Sequence, residues 1–317
     1  MANTSAPFGF SQYSGTGSAP TFEQVQMAIS SSNTVPIFFG DPVVQAASAT
    51  GIGTGFVTQA YAPVTVVISA IAFSSGIATA TITAITSGVP GSPNAWAPPV
   101  GSVLSIVNAV FATGGTFSGT FLVTASTTTT IQFVAPVGTF SSTLTAPAAG
   151  GSVVFVPVLG VFVGCKYLST SQKRTVWSNY WPGSDANTAA SVTAYVVNDP
   201  NAQFLVQTAN SNTTSTAVGV SAIGQNIGIN YAVSGASPAS VNGNTATGLS
   251  TYFADQYTLN SPIATQQFLP FRVTALANYT PDGSNPLQSI NGNDYSTAYN
   301  RIVVAFNNAA LKQFAGI

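Results

Sequence analysis

The sequence predicts an all-β protein: a discontinuous outer β-sandwich or barrel domain, interrupted by a small inserted β-barrel or sandwich domain. Three observations predict it. Short runs of Val, Ile, Phe, Tyr and Thr alternate along the chain with turns rich in Gly, Pro and Asn, the texture of short strands on pleated, half-buried surfaces. No apolar helical period longer than about two turns is written anywhere, Ala309 to Phe314 being the best candidate. Charge vanishes between Ala70 and Ala149, a segment of Thr, Ser, Ala, Gly and Val with strand-like sequence on both flanks.

Taken in order, residues 1–20 are rich in Gly, Ser and Ala, with Phe8, Phe10 and Tyr13 spaced through them. Such a segment has too little contiguous apolar surface to fold alone. It reads as an arm whose aromatics dock either on its own domain or on a neighbour, and ordering by another subunit is the expectation to test. Thr21 to Ile29 alternates as a strand, Pro36-Ile-Phe-Phe-Gly40 leads into an Asp41-Pro42 turn, and Val43-Val44 resumes a strand. Gly51-Ile-Gly-Thr-Gly55 lacks the third glycine of a dinucleotide loop, Phe56 standing in its place. It reads as a loop into a strand at Phe56-Val57.

Residues 71–149 form the inserted domain, and 21–70 with 150–317 the outer one. Within the insert, Ile77 to Thr83, Val103 to Val107, Gly119 to Thr124 and Thr130 to Val134 read as strands, and Pro90 to Pro99 as a loop carrying Trp96. The stretch from Val153 to Pro200 is the densest in apolar residues. It gives two or three core strands and a polar hairpin bearing Lys173 and Arg174. Beyond it, Gln203 to Gln207 is a strand, Ile223 to Tyr231 a bulged one relieved by its glycines, and Ser234 to Thr247 a polar loop. Phe268 to Leu276 is a strong strand, Asn278 to Asn293 a long loop, and Arg301 to Asn307 the last strand.

Composition narrows the function classes. Charged residues make up 4% of the chain, against about 25% in an average soluble domain. The formal net charge is −1, so little repulsion opposes association and a place inside an assembly is expected. The longest apolar run, Val153 to Cys165, is 13 residues and holds a proline and two glycines, short of the roughly 18 to 20 that cross a bilayer as a helix. The stretch Met1 to Pro7 reads as neither a basic nor an apolar leader, so no signal peptide is expected, and the lone Cys165 fits synthesis in a reducing cytoplasm as a buried structural thiol.

With no histidine, neither a Ser-His-Asp site nor the usual zinc site can be built. A glycosidase-type carboxylate pair is open in principle. Asp41 and Asp199 precede proline, however, and Asp282 precedes glycine, all turn signatures. Asn291-Gly-Asn-Asp294 reads as loop capping, since no EF-hand loop accompanies it. No cofactor and no metal is expected. Three of the six basic residues and two of the three tryptophans lie between Lys166 and Trp181. Lys166, Lys173 and Arg174 are too few for a nucleic-acid footprint. They read as a local ion pair, as a contact to an acidic partner subunit, or as a solvated hairpin tip. The candidate partner contacts are Phe8, Phe10, Tyr13, Lys166, Lys173, Arg174, Trp177 and Trp181.

Several segments carry a resemblance. Ala6-Pro-Phe-Gly-Phe10, Ile37-Phe-Phe-Gly-Asp-Pro-Val-Val44, Gly160-Val-Phe-Val-Gly-Cys165, Val176-Trp-Ser-Asn-Tyr-Trp-Pro-Gly183 and Ala194-Tyr-Val-Val-Asn-Asp-Pro-Asn201 belong to this set. So do Asn244-Thr-Ala-Thr-Gly-Leu-Ser250 and Tyr299-Asn-Arg-Ile-Val-Val-Ala-Phe-Asn-Asn308. Together they resemble the head decoration (cement) proteins of tailed bacteriophages, over roughly residues 1–60 and 155–317. Residues 71–149 resemble a small β-domain that recurs in virion proteins, through Pro99-Val-Gly-Ser-Val-Leu-Ser-Ile106 and Phe117-Ser-Gly-Thr-Phe-Leu-Val-Thr124, with Ser118 where Asn is usual. The resemblance implies a non-enzymatic virion protein made in the host bacterial cytoplasm. It implies a dimer or trimer that binds the phage major capsid protein on the outer capsid surface, with the insert as an outward knob. It carries no catalytic residue. Two alternatives stand beside it: the major capsid subunit, disfavoured because no long spine helix is written, and a receptor- or glycan-binding tail component with Trp96 stacking on sugars. A depolymerase ranks last, and no nucleic-acid or membrane partner is expected.

Overall fold

The computed structural model describes residues 3–14, 24–46, 55–87, 96–111, 115–134, 144–146, 152–187, 190, 192–230, 243–260, 267–277, 294 and 296–310. It is all-β. Four strands precede the charge-free segment: β1 (Ser11–Ser14), β2 (Val25–Ile29), β3 (Pro42–Gln45) and β4 (Val57–Gln59). Seven follow in and around it: β5 (Val64–Ser74), β6 (Ile77–Ser87), β7 (Val103–Phe111), β8 (Thr116–Ser126), β9 (Thr130–Val134), β10 (Leu144–Ala146) and β11 (Ser152–Phe155).

These seven make a closed barrel. Strands β7, β11, β5, β6, β9 and β8 pair in that order, and β8 returns to β7. Strand β11 covers Val103 to Ser105 of β7 and β10 covers Val110 and Phe111, so the two share one rank of the barrel. Period-2 alternation decides what faces inward. Along β6, Ala78, Ala80 and Ile82 are buried, and the intervening Thr79 and Thr81 are partly exposed. Phe117, Phe121 and Phe133 stack inside, with centroids 5.3 and 4.4 Å apart. Ser75 and Gly76 join β5 to β6 with φ of +52° and +79°, the left-handed pair that a two-residue hairpin turn requires.

The barrel strands reach from Val64 to Phe155, where the sequence reading drew 71 and 149. Entry and exit strands are neighbours, Val64 opposite Val154. The chain therefore leaves the outer body and returns to it side by side.

The outer body adds β12 (Val158–Leu168), β13 (Thr175–Ser178), β14 (Val192–Val197), β15 (Gln203–Ala209), β16 (Asn226–Ile229), β17 (Gly243–Asn244), β18 (Leu249–Ser250), β19 (Ala254–Asp255), β20 (Phe271–Leu276) and β21 (Arg301–Phe306). One sheet runs β2-β14-β12-β3-β4, with β13 paired to the far half of β12. A bridge from Ala28 to Phe56 links its two edges, so this sheet curls back on itself. A second sheet forms a ring through β15, β19, β16, β20 and β21, with β1 added along β15. Strands β17 and β18 form a separate hairpin.

Strand β12 explains the dense apolar run. Val161 belongs to the large core shared with the ring and the barrel, whereas its neighbour Phe162 belongs to a second core. The pairs Val44/Val43 and Val197/Val196 divide in the same way. Strands buried on both faces lose the polar half of their alternation.

Three expectations change. Of Ile223 to Asn230, only Asn226 to Ile229 is strand, and Tyr231 lies outside the described residues: Val220–Ala222 is a 3-10 turn, and Gly224 has φ +88°. Of the expected Ser234 to Thr247 loop, residues 234–242 lie outside the described residues, and from Gly243 the chain forms the β17–β18 hairpin. Trp96 is buried, its Nε1 donating to Tyr61 Oη at 3.2 Å, so its face is not open to a sugar. The Asn278 to Asn293 loop and the helix candidate beyond Ala310 lie outside the described residues.

Candidate functional site

Four of the segments that carry the resemblance meet around residues 37–40. Ile37 and Trp181 exchange backbone hydrogen bonds of 3.0 and 2.7 Å. The Gly40 amide donates to the Phe162 carbonyl at 2.8 Å, and the Ser250 amide to the Phe39 carbonyl at 2.9 Å. Trp181 fills the second core, edge-on to Tyr167, with Nε1 donating to the Asn33 carbonyl at 3.2 Å. It was expected at a partner surface, and instead it is fully buried. Beside it, Cys165 points into the same core and its thiol donates to the Tyr180 carbonyl; burial pushes its pKa up to about 12. This is the inert structural thiol that its sequence context suggests.

Four residues earlier the geometry is the opposite. Trp177 is 65% exposed. Cross-strand register sets Lys166 directly opposite Trp177, and Gly164 opposite Tyr195. Across this glycine-thinned strand the Trp177 ring stacks on Tyr195 at 5.3 Å, and the Lys166 ammonium lies 5.1 Å from the indole centroid. The result is an aromatic platform with one cation, fixed on three adjacent strands rather than on a loop.

Lys173 and Arg174 occupy the exposed tip of the β12–β13 hairpin, with Lys173 at φ +55° and Arg174 donating to Gln172 at 3.0 Å. Asp185 holds the base of this tip. It accepts from the Ser169 and Thr170 hydroxyls at 2.5 and 2.8 Å and from the Ser171 amide at 2.8 Å. Those donors, the Ser169 hydroxyl first, hold its carboxyl below the usual carboxylate range. The three cations therefore divide: Lys166 belongs to the aromatic platform, and Lys173 and Arg174 to the hairpin tip.

Residues 3–14 of the arm pack on the chain's own body. Asn3 bonds to Thr297 and to the Asp294 and Ala298 carbonyls. The buried Gln207 accepts from the Ala6 amide at 2.8 Å and donates to the Thr4 carbonyl at 2.9 Å. Phe8 lies under the Arg301 guanidinium. Phe10 is 1% exposed and stacks on Phe271 at 4.4 Å, deep in the large core. Strand β1 then pairs with β15. Of the three arm aromatics only Tyr13 projects outward, at 53% exposure. Phe10 thus has no face left for a partner.

One residue passed over in the sequence matters here. Asp41 ends a turn, as read, its amide donating to the Phe38 carbonyl, but its side chain is wholly buried. Oδ2 accepts from the Phe38 amide and from Gln59 Nε2, each at 2.7 Å. The Ser250 hydroxyl bears on the carboxyl, yet Oδ1 has no hydrogen-bond partner. Burial pushes its pKa up to about 7 against these three weaker opposing bonds. The Asp-Pro spelling signals the turn; nothing local signals the burial, which Gln59 and Ser250 create from far along the chain.

Among the described residues no three of His, Cys, Asp and Glu gather as a metal site, and no helix is long and apolar enough to cross a membrane. No protein-family model, no curated protein and no solved structure matches this chain.

Proposed function

We propose that this chain is a non-enzymatic virion structural protein, a decoration subunit that binds the outside of a phage head through the Lys166–Trp177–Tyr195 face and stabilises the shell. The observation that carries the reading is the exposed, rigidly held Trp177 on a body with so little charge. Tryptophan anchors dominate binding energy at protein interfaces, and this one is pre-oriented by its stack on Tyr195. Pre-orientation lowers the entropic cost of association. The motif resemblance supports the same reading, since two of its segments, Val176 to Gly183 and Ala194 to Asn201, carry Trp177 and Tyr195. Binding that favours only the assembled shell raises its stability by linkage.

The test uses purified particles. Decorated heads are expected to carry hundreds of copies and to release their genome at a higher temperature than bare heads. Trp177→Ala is expected to reduce occupancy at least about tenfold, a hot-spot loss. Equal release temperatures with and without the protein overturn the reading, and a few copies per particle transfer it to a tail component.

A further inference from the structure

We propose that Asp41 is a proton-operated latch: its neutral carboxyl keeps the N-terminal arm and the β17–β18 hairpin closed on the body, and its ionisation releases them. The geometry places Asp41 where four separate segments meet. The arm arrives through the Phe10 amide, which donates to the Gly40 carbonyl at 2.9 Å. The hairpin arrives through the Ser250 amide on the Phe39 carbonyl at 2.9 Å and through the Phe39 amide on the Gly248 carbonyl at 3.0 Å. Strand β4 contributes Gln59 and strand β12 the Phe162 amide, which donates to the Asp41 carbonyl at 2.8 Å. The packing leaves no slack. A Cβ on Gly9 would fall 2.4 Å from the Ser250 side chain, and one on Gly243 would fall 1.9 Å from the Phe38 ring.

Among the described residues the groups facing the carboxyl are all neutral. From its own segment comes the Phe38 amide, from β4 the Gln59 amide, and from the hairpin the Ser250 hydroxyl. The titratable and charged groups on the surrounding elements are engaged elsewhere. Cys165 of β12 bonds to the Tyr180 carbonyl, Tyr180 stacks on Phe38, Tyr252 beyond the hairpin donates to the Ala60 carbonyl, and Arg301 lies over Phe8 of the arm. Among the described residues a carboxylate here has no counter-ion, and Oδ1 has no hydrogen-bond donor. Charge at this position is therefore costly while the site stays closed.

Opening exposes the carboxyl, which then gives its proton to water. The closed-state pKa of about 7 lies above the solvated value of 3.8. The closed state thus binds the proton more tightly, its advantage is fully present below pH 3.8, and it is lost as pH rises through about 7. That difference corresponds to an increase of about five-hundredfold in the opening constant between pH 4 and pH 8. The latch does not depend on what the body attaches to.

Hydrogen exchange on the intact protein tests it. After correction for intrinsic rates, the amides of Phe10, Phe39 and Ser250 are expected to lose at least about tenfold protection between pH 5 and pH 8. Barrel amides in β6 and β9 are expected to keep theirs. Asp41→Asn, neutral at every pH, is expected to flatten the profile. Protection in the native protein that does not change with pH overturns the latch. So does an equal loss in the barrel, which would mean global unfolding. Should the variant not fold, the carboxyl carbon of native Asp41 is titrated by NMR: a midpoint near neutrality supports the latch, and one near pH 4 overturns it.

Discussion

Trp177 and Trp181 stand four residues apart and share a composition, a motif and an apolar neighbourhood, yet one is exposed and the other buried. The difference is set by β13, which ends at Ser178. Trp177 stands on a strand face turned to solvent, whereas Trp181 has left the strand and bridges to Ile37 under the second core. Truncation separates them. Trp181→Ala is expected to cost roughly 3–5 kcal/mol by urea denaturation, since it empties a fully enclosed volume. Trp177→Ala is expected to cost no more than about 1.5 kcal/mol, the order of one aromatic pair. Similar losses for both would place Trp177 in a packed environment that this structure does not give it. Phe10 and Asp41 belong with Trp181: each was read as a surface or turn residue from its neighbours in sequence, and each is enclosed by residues distant in sequence.

At the scale of elements, the barrel is the most sharply defined unit. Its six ranks close, so no edge strand is left to be covered by the outer body. Its entry and exit strands are paired, Val64 with Val154, which brings the flanking chain ends to neighbouring strand positions. Replacing residues 64–155 by a short Gly/Ser linker is therefore expected to leave a β-rich outer body that unfolds cooperatively, followed by circular dichroism. Its melting temperature is expected to fall, because Tyr61 loses the Trp96 indole and the large core loses its barrel portion. An unfolded remainder would show that the outer sheets depend on the barrel for their core. The N-terminal arm is the opposite kind of element. It has almost no core of its own and is held by Gln207, Asn3 and the single anchor Phe10.

The whole molecule is a charge-poor surface around two cores. Six basic and seven acidic residues are distributed over 317 positions, and the best-placed carboxylates, Asp185 and Asp255, bond to hydroxyls and backbone amides. Association through such a surface rests on apolar and neutral polar contact, which salt screens little. Under the proposed decoration role, attachment to heads is therefore expected to change by less than about threefold between 0.05 and 0.5 M salt, read from copies bound after sedimentation. Loss of attachment in moderate salt would shift the contact from the Trp177 platform to Lys173 and Arg174 at the hairpin tip.

The sequence by itself determined the all-β class, the positions of most strands and the existence of a charge-free β-segment between outer strands. These are local properties: side-chain alternation and turn residues act over two to six positions, within reach of a reading along the chain. It also marked Trp177 and Lys166 as candidates, through the concentration of aromatics and cations in one short stretch. Only the tertiary structure decided the rest. It extended the barrel to Val64 and Phe155, because those residues pair with one another across the stem. It buried Phe10, Trp96 and Trp181, separated Lys166 from the hairpin tip, and enclosed Asp41 beneath Gln59 and Ser250. Burial and electrostatic environment depend on which distant segments arrive at a residue, and strand pairing across a hundred or more positions leaves no mark in the local pattern that a sequence displays.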